Sequence, residues 1–212
     1  MRKQLTTILL AGLCCLAGAA TSYGADNGYV AIKGGVFLPN GEGSSGNENG
    51  FKDLGTGYNA ELAVGYRPEP YVAFELGSGI YGTSGTVSEP TTSNKITATC
   101  VPVTLTVKGI LTFERLELFA GAGGGYYFGT VEQKTTGGVV SIDQSSHGGA
   151  LGYLVTAGGD FKLSKSLGLG AEFKWFSAQP ELEFTDISSG STVKQKWQIG
   201  GSLLNLGLKY SF

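Results

Sequence analysis

From Leu203 to Phe212 the chain sorts its side chains by parity. Leu204, Leu206, Leu208, Tyr210 and Phe212 fall on one side, and Leu203, Asn205, Gly207, Lys209 and Ser211 on the other. Successive residues of a β-strand point to opposite faces of the sheet. One face of this strand is therefore uniformly apolar and ends in aromatics, while the other is mixed, small and charged. Such a strand separates an apolar solvent from a polar interior.

The pattern recurs. Period-two segments run over Tyr29–Leu38, Tyr58–Arg67, Tyr71–Tyr81, Thr97–Ile110, Leu116–Phe128, Gly149–Leu163, Leu167–Phe176 and Trp197–Phe212. In the seventh, Leu167, Leu169, Ala171, Phe173 and Trp175 oppose Gly168, Gly170, Glu172 and Lys174. In the fourth, Val101, Val103, Leu105 and Val107 oppose Thr104, Thr106 and Lys108. The fifth and sixth are weaker, because glycine dominates from Gly121 to Gly125. Helix-period apolar patterns are missing. Each segment reaches the ~9–11 residues that a tilted membrane strand needs. Eight such strands predict an all-β fold, an antiparallel up-and-down transmembrane β-barrel.

Either face could line the interior, and crowding decides between them. An eight-stranded barrel has room only for packed side chains or one small ligand. Phe74, Phe173, Trp175, Tyr210 and Phe212 would overfill it, so the aromatics are expected outside and the small or charged residues inside. Tyr58, Tyr66, Trp175, Tyr210 and Phe212 stand at strand ends, where interfacial girdles form. The expected inward charges are Lys33, Glu61, Arg67, Glu75, Lys108, Glu117, Asp160, Glu172, Lys174 and Lys209, five of each sign. Isolated buried charges are costly, so these should pair and close the lumen. Wide aqueous channels belong to barrels of ~16–18 strands.

The connections alternate in length. Arg67 to Pro70, Thr112 to Arg115 and Ser164 to Ser166 are tight. Pro39 to Gly57, Gly82 to Ile96, Gly129 to Gly148 and Ser177 to Lys196 are long and rich in Gly, Ser, Thr and Asn. Short periplasmic turns and long extracellular loops give that asymmetry. Two of the long connections have hairpin composition, around Thr136-Gly137-Gly138 and Ser188-Ser189-Gly190. Residues 1–24 read as a secretory signal peptide, with Arg2 and Lys3 before an apolar run from Ile8 to Leu16, and residues 25–212 as the barrel domain. Past the signal only Cys100 remains of the three cysteines, which leaves no intramolecular disulfide.

Three stretches resemble the small outer-membrane barrels of the OmpA-like, OmpX-like and OmpW-like porin families: Tyr29–Pro39 (YVAIKGGVFLP), Val101–Gly109 (VPVTLTVKG) and Leu206–Phe212 (LGLKYSF). The resemblance implies residence in the Gram-negative outer membrane, among its lipids and lipopolysaccharide, as a monomer. It also implies that Leu206, Leu208, Tyr210 and Phe212 form the signal read by the barrel-assembly machinery. The sequence ends at the last barrel strand, so no peptidoglycan-binding domain of the OmpA kind is expected.

Signals for chemistry are sparse. Charged residues make up 15% of the chain, the net charge is -2 and no basic run occurs, which argues against nucleic acid as a partner. His147 is the only histidine and is followed by glycines, so it does not give the His-x-Ser spacing of outer-membrane lipid esterases. Its pairing with Cys100 is disfavoured against a simple strand role for the thiol. The run Gly121–Gly129 lacks the spacing of a phosphate loop. Glu42, Glu48 and Asp53 are irregularly spaced for calcium. No catalytic residue, cofactor or metal is expected. The leading functional reading is a structural, surface-exposed membrane component. The alternatives are an OmpW-like channel for small hydrophobic molecules and a soluble lipocalin-like ligand-binding barrel.

Overall fold

The computed structural model describes residues 27–40, 55–89, 92–137, 140–179, 181–185, 192–196 and 199–212. The expected signal peptide lies outside them, as do Glu42, Glu48 and Asp53. Among the described residues ten strands occur: β1 Gly28–Pro39, β2 Gly57–Glu69, β3 Val72–Glu89, β4 Thr92–Phe113, β5 Leu116–Gly137, β6 Val140–Lys162, β7 Leu167–Ala178, β8 Glu181–Thr185, β9 Thr192–Lys196 and β10 Ile199–Ser211. Eight of them close into an antiparallel barrel in the order β1-β10-β7-β6-β5-β4-β3-β2, and β8 and β9 form a separate hairpin. Closure satisfies the backbone groups that a membrane would leave without water.

Local chemistry makes the short turns. Glu114 adopts φ 49°, a left-handed conformation suited to the two-residue hairpin between Phe113 and Leu116. Ser164 Oγ accepts hydrogen bonds from the amides of Ser166 and Leu167 at 3.3 and 3.0 Å, which shapes the turn into β7. The seam joins the first and last of the described strands. β1 pairs with β10 from Tyr29↔Ser211 to Pro39↔Gly201, and the Gly28 and Phe212 backbones exchange two further hydrogen bonds at 3.2 and 3.0 Å.

The structure corrects the loop reading at 82–96. Its described residues are strand: β3 and β4 run on to Glu89 and Thr92 with the ladder intact from Tyr81↔Cys100. Its Thr, Val and Ile are strand formers. Val87 and Ile96 are its only large apolar residues, so the apolar alternation that marks a membrane strand is absent. β4, β5 and β6 are 22, 22 and 23 residues long. That is about twice what the bilayer requires, so they rise beyond it.

The outer surface is apolar. Ile32, Leu105, Phe173, Leu206 and Leu208 are exposed, while Glu172 and Lys174 are buried. Tyr66, Tyr71, Phe113 and Tyr210 are exposed near the short-turn end, and Tyr58, Tyr126, Phe128 and Tyr153 near the other. These are the two girdles of a membrane barrel. A soluble barrel would turn this surface inward, so the lipocalin-like alternative falls.

The expectation that aromatics stay outside holds only in part. Phe37, Tyr81, Tyr127 and Phe176 are buried within the lumen, and so is Tyr29 at the opposite end. Glycine makes the room. Tyr29 lies across Gly65, and a Cβ on Gly152 would stand 2.9 Å from Tyr127 Cε2. Glycines on the neighbouring strands supply room that a count of aromatics alone does not include.

Candidate functional site: the lumen

Strand parity sends one residue in two inward, and the register between strands decides which of these meet. Lys33 (β1), Glu61 (β2), Glu75 (β3), Lys108 (β4), Glu172 and Lys174 (β7) converge at mid-barrel. Lys33 Nζ lies 3.3 Å from Glu61, 2.7 Å from Glu75 and 3.0 Å from Glu172. Lys108 Nζ lies 2.7 Å from Glu75 and 2.9 Å from Glu172. Lys174 Nζ lies 2.6 Å from Glu61 and 3.6 Å from Glu172. Three ammonium groups thus meet three carboxylates, and all six residues are buried. Tyr29 Oη donates to Glu75 at 2.9 Å and Tyr81 Oη to Glu61 at 3.0 Å.

A second cluster sits toward the periplasmic end. Glu117 lies 3.0 Å from Arg67, 2.8 Å from Lys162 and 3.0 Å from Lys209, and Lys209 also pairs with Asp160. The Lys209 ammonium stands 5.3 Å from the Tyr29 ring centroid, so Tyr29 touches both clusters. The ten charges read from the sequence therefore fall into two groups, six at mid-barrel and four below.

Sequence reasoning missed Lys162, Tyr29 and Tyr81. All three share strand parity with named charges, Lys162 with Asp160, Tyr29 with Lys33 and Tyr81 with Glu75. That parity was the available signal. Charge alone drew the list, which passed over phenols and a lysine at a strand terminus.

Above the mid-barrel cluster lies an aromatic layer. The Phe176 ring stacks on Tyr127 at 5.1 Å and on Phe37 at 5.9 Å, and Tyr81 tilts against it at 5.4 Å. Over this layer opens a largely apolar cup lined by Phe37, Pro39, Tyr81, Cys100 and Val131, with Thr83, Thr99 and Thr130 among its polar groups. Cys100 is buried and faces inward, whereas His147 is exposed on the outer side of β6. The barrel wall separates thiol from imidazole. Alternation likewise turns Ser146 inward, away from His147. Among the assembly-signal residues, Leu206, Leu208 and Tyr210 are exposed on the outer surface. The Phe212 ring covers Gly28, where a Cβ would stand 2.6 Å from Phe212 Cε2.

A closed antiparallel barrel with an apolar belt, aromatic girdles and ionised lumen defines an integral bacterial outer-membrane protein. The chain belongs to the family of the outer membrane protein beta-barrel domain, whose model matches residues 6–212. No curated protein matches it in sequence. Solved structures share its fold at low identity. Neisserial surface protein A aligns at 15% identity and TM-score 0.52, over 87% of this chain and 97% of that one. OprG of Pseudomonas aeruginosa aligns at 13% and 0.52, over 88% and 96%. The outer membrane protease OmpT of Escherichia coli aligns at 12% and 0.51, over 90% and 98%. At such identity the likeness concerns fold alone, and the same architecture carries a protease in one case.

Proposed function

We propose that the protein is a structural, surface-exposed component of the outer membrane, closed to solute passage and without catalysis. The observation that carries this reading is the mid-barrel cluster. Its ion pairs run from β2 to β7 and from β4 to β7, each three strands apart around the barrel, across the lumen rather than along its wall. Passage of a hydrated ion would have to part several of them at once. The separation of Cys100 from His147 by the barrel wall supports the absence of a thiol–imidazole site. Outer-membrane lipids and lipopolysaccharide would surround the belt, and strands β3 to β6 would present the surface that other cells meet.

Reconstitution into planar bilayers tests closure. The purified barrel is expected to give no steady channel openings in molar potassium chloride. Discrete long-lived openings would refute a closed lumen. The apolar cup favours a second reading, an OmpW-like conduit for small hydrophobic molecules. Uptake of an apolar solute into vesicles, above that of empty vesicles, would select it.

Assembly is tested at the seam. Deleting Phe212 removes a ring over Gly28 and two backbone hydrogen bonds that close the barrel. The yield of heat-modifiable, membrane-inserted protein is expected to fall severalfold. An unchanged yield would remove Phe212 from the assembly signal.

A further inference from the structure

The lipid-facing surface is not of one height. On β7, β10, β1, β2 and β3 the apolar outward face runs over residues 167–175, 204–212, 30–38, 58–66 and 72–80, nine positions each. On β4, β5 and β6 it runs over 101–113, 116–128 and 151–163, thirteen positions each. The two sets are contiguous around the barrel, so there is a low wall of five strands, which includes the β1–β10 seam, and a high wall of three. Thr56, Ser177 and Ser202 take the next outward positions on β2, β7 and β10, at the end away from the short turns. On β4 and β5 the corresponding Thr99 and Thr130 come only after Val101 and Phe128. Below the low wall, Tyr71 in the turn before β3 belongs to the aromatic girdle.

At ~3.4 Å per residue and a strand tilt of ~40°, nine positions reach about 20 Å along the membrane normal and thirteen about 30 Å. Tilting the barrel would raise one wall and lower the other without lengthening either. Where the walls meet, the midpoints of their faces lie within two residues of register. Leu76 of β3 pairs with Leu105, two residues from Val107, and Ala157 of β6 pairs with Phe173, two residues from Ala171. The low wall is therefore short at both ends. A bilayer of uniform thickness would draw Ser177 and Ser202 into hydrocarbon or leave Phe113 and Phe128 in water, and both are costly. Compressing or stretching acyl chains beside the protein costs less.

We propose that the barrel thins the membrane along β7, β10, β1, β2 and β3 and holds it at greater height along β4, β5 and β6, so that shorter acyl chains gather on the low wall.

The unmodified barrel in nanodiscs of 14-carbon phosphatidylcholine tests the thinning by NMR. A water-soluble gadolinium chelate broadens backbone amides outside the hydrocarbon and spares those within it. The spared stretch is expected to be about four residues longer in β4, β5 and β6 than in the other five barrel strands. A difference of one residue or none overturns the proposal. The lipid preference is read from Leu206→Trp on the low wall and Ala122→Trp on the high wall, each with Trp175→Phe and Trp197→Phe. The vesicles mix 14-carbon phosphatidylcholine with brominated 18-carbon phosphatidylcholine. Relative to vesicles of the brominated lipid alone, quenching is expected to be about twofold weaker for Leu206→Trp than for Ala122→Trp. Equal relative quenching would overturn the gathering of shorter chains, and a variant that does not fold leaves the measurement on the unmodified barrel to decide.

Discussion

Replacing Glu61 by leucine is expected to destabilise the folded barrel by about 3–5 kcal/mol, the cost of leaving a buried charge without its partner. Glu61 accepts from Lys174 through both oxygens at 2.7 and 2.6 Å, from Tyr81 at 3.0 Å and from Lys33 at 3.3 Å. Lys33 keeps two other carboxylates after the change. Lys174 keeps only Glu172 at 3.6 Å. With its side chain only 2% exposed, it cannot reach bulk water to compensate. Urea unfolding in phospholipid vesicles gives the measurement. The companion variant Glu61→Leu with Lys174→Met should recover most of the loss, because a buried pair replaced by apolar groups of similar volume is often neutral. A loss below about 1 kcal/mol in the single variant would show that Lys174 is not held by Glu61.

Arginine at Leu206 is the second large effect, at about 2–4 kcal/mol destabilising. Leu206 is 68% exposed and stands at the middle of β10, registered against Gly34 and Ala171, the midpoints of its two neighbours. That places it near the bilayer midplane, where a guanidinium meets hydrocarbon. The same substitution at Leu167, beside the periplasmic turn, should cost only about 0–1 kcal/mol, because arginine near the interface reaches water and headgroups. Unfolding free energies of both variants in vesicles check the gradient. Equal effects at the two sites would show that depth in the membrane does not set the cost.

Both predictions rest on which side of the wall a residue occupies, and that much is local. A strand offers two faces, so parity along β7 or β10 separates Phe173 from Glu172 and Leu208 from Lys209 before any fold is known. Strand number, direction of closure and the lipid-facing belt follow from the same alternation. Where apolar residues cease to alternate, the sequence carries no membrane-strand signal. The 82–96 hairpin is not legible in the sequence because Val87 and Ile96, its only large apolar residues, are too few to mark a face.

The sequence by itself determined that Lys33, Glu61, Glu75, Lys108, Glu172 and Lys174 would point inward, and it determined nothing about their partners. Lys33 and Glu172 are 139 residues apart, and only the strand register and barrel closure bring them to hydrogen-bonding distance. Tertiary structure also decided that Phe37, Tyr81, Tyr127 and Phe176 share the lumen, with Tyr127 in space left by Gly152 on the neighbouring strand. Parity is a property of one strand read alone. Contact across a cylinder depends on how eight of them are staggered, and no single strand carries that information.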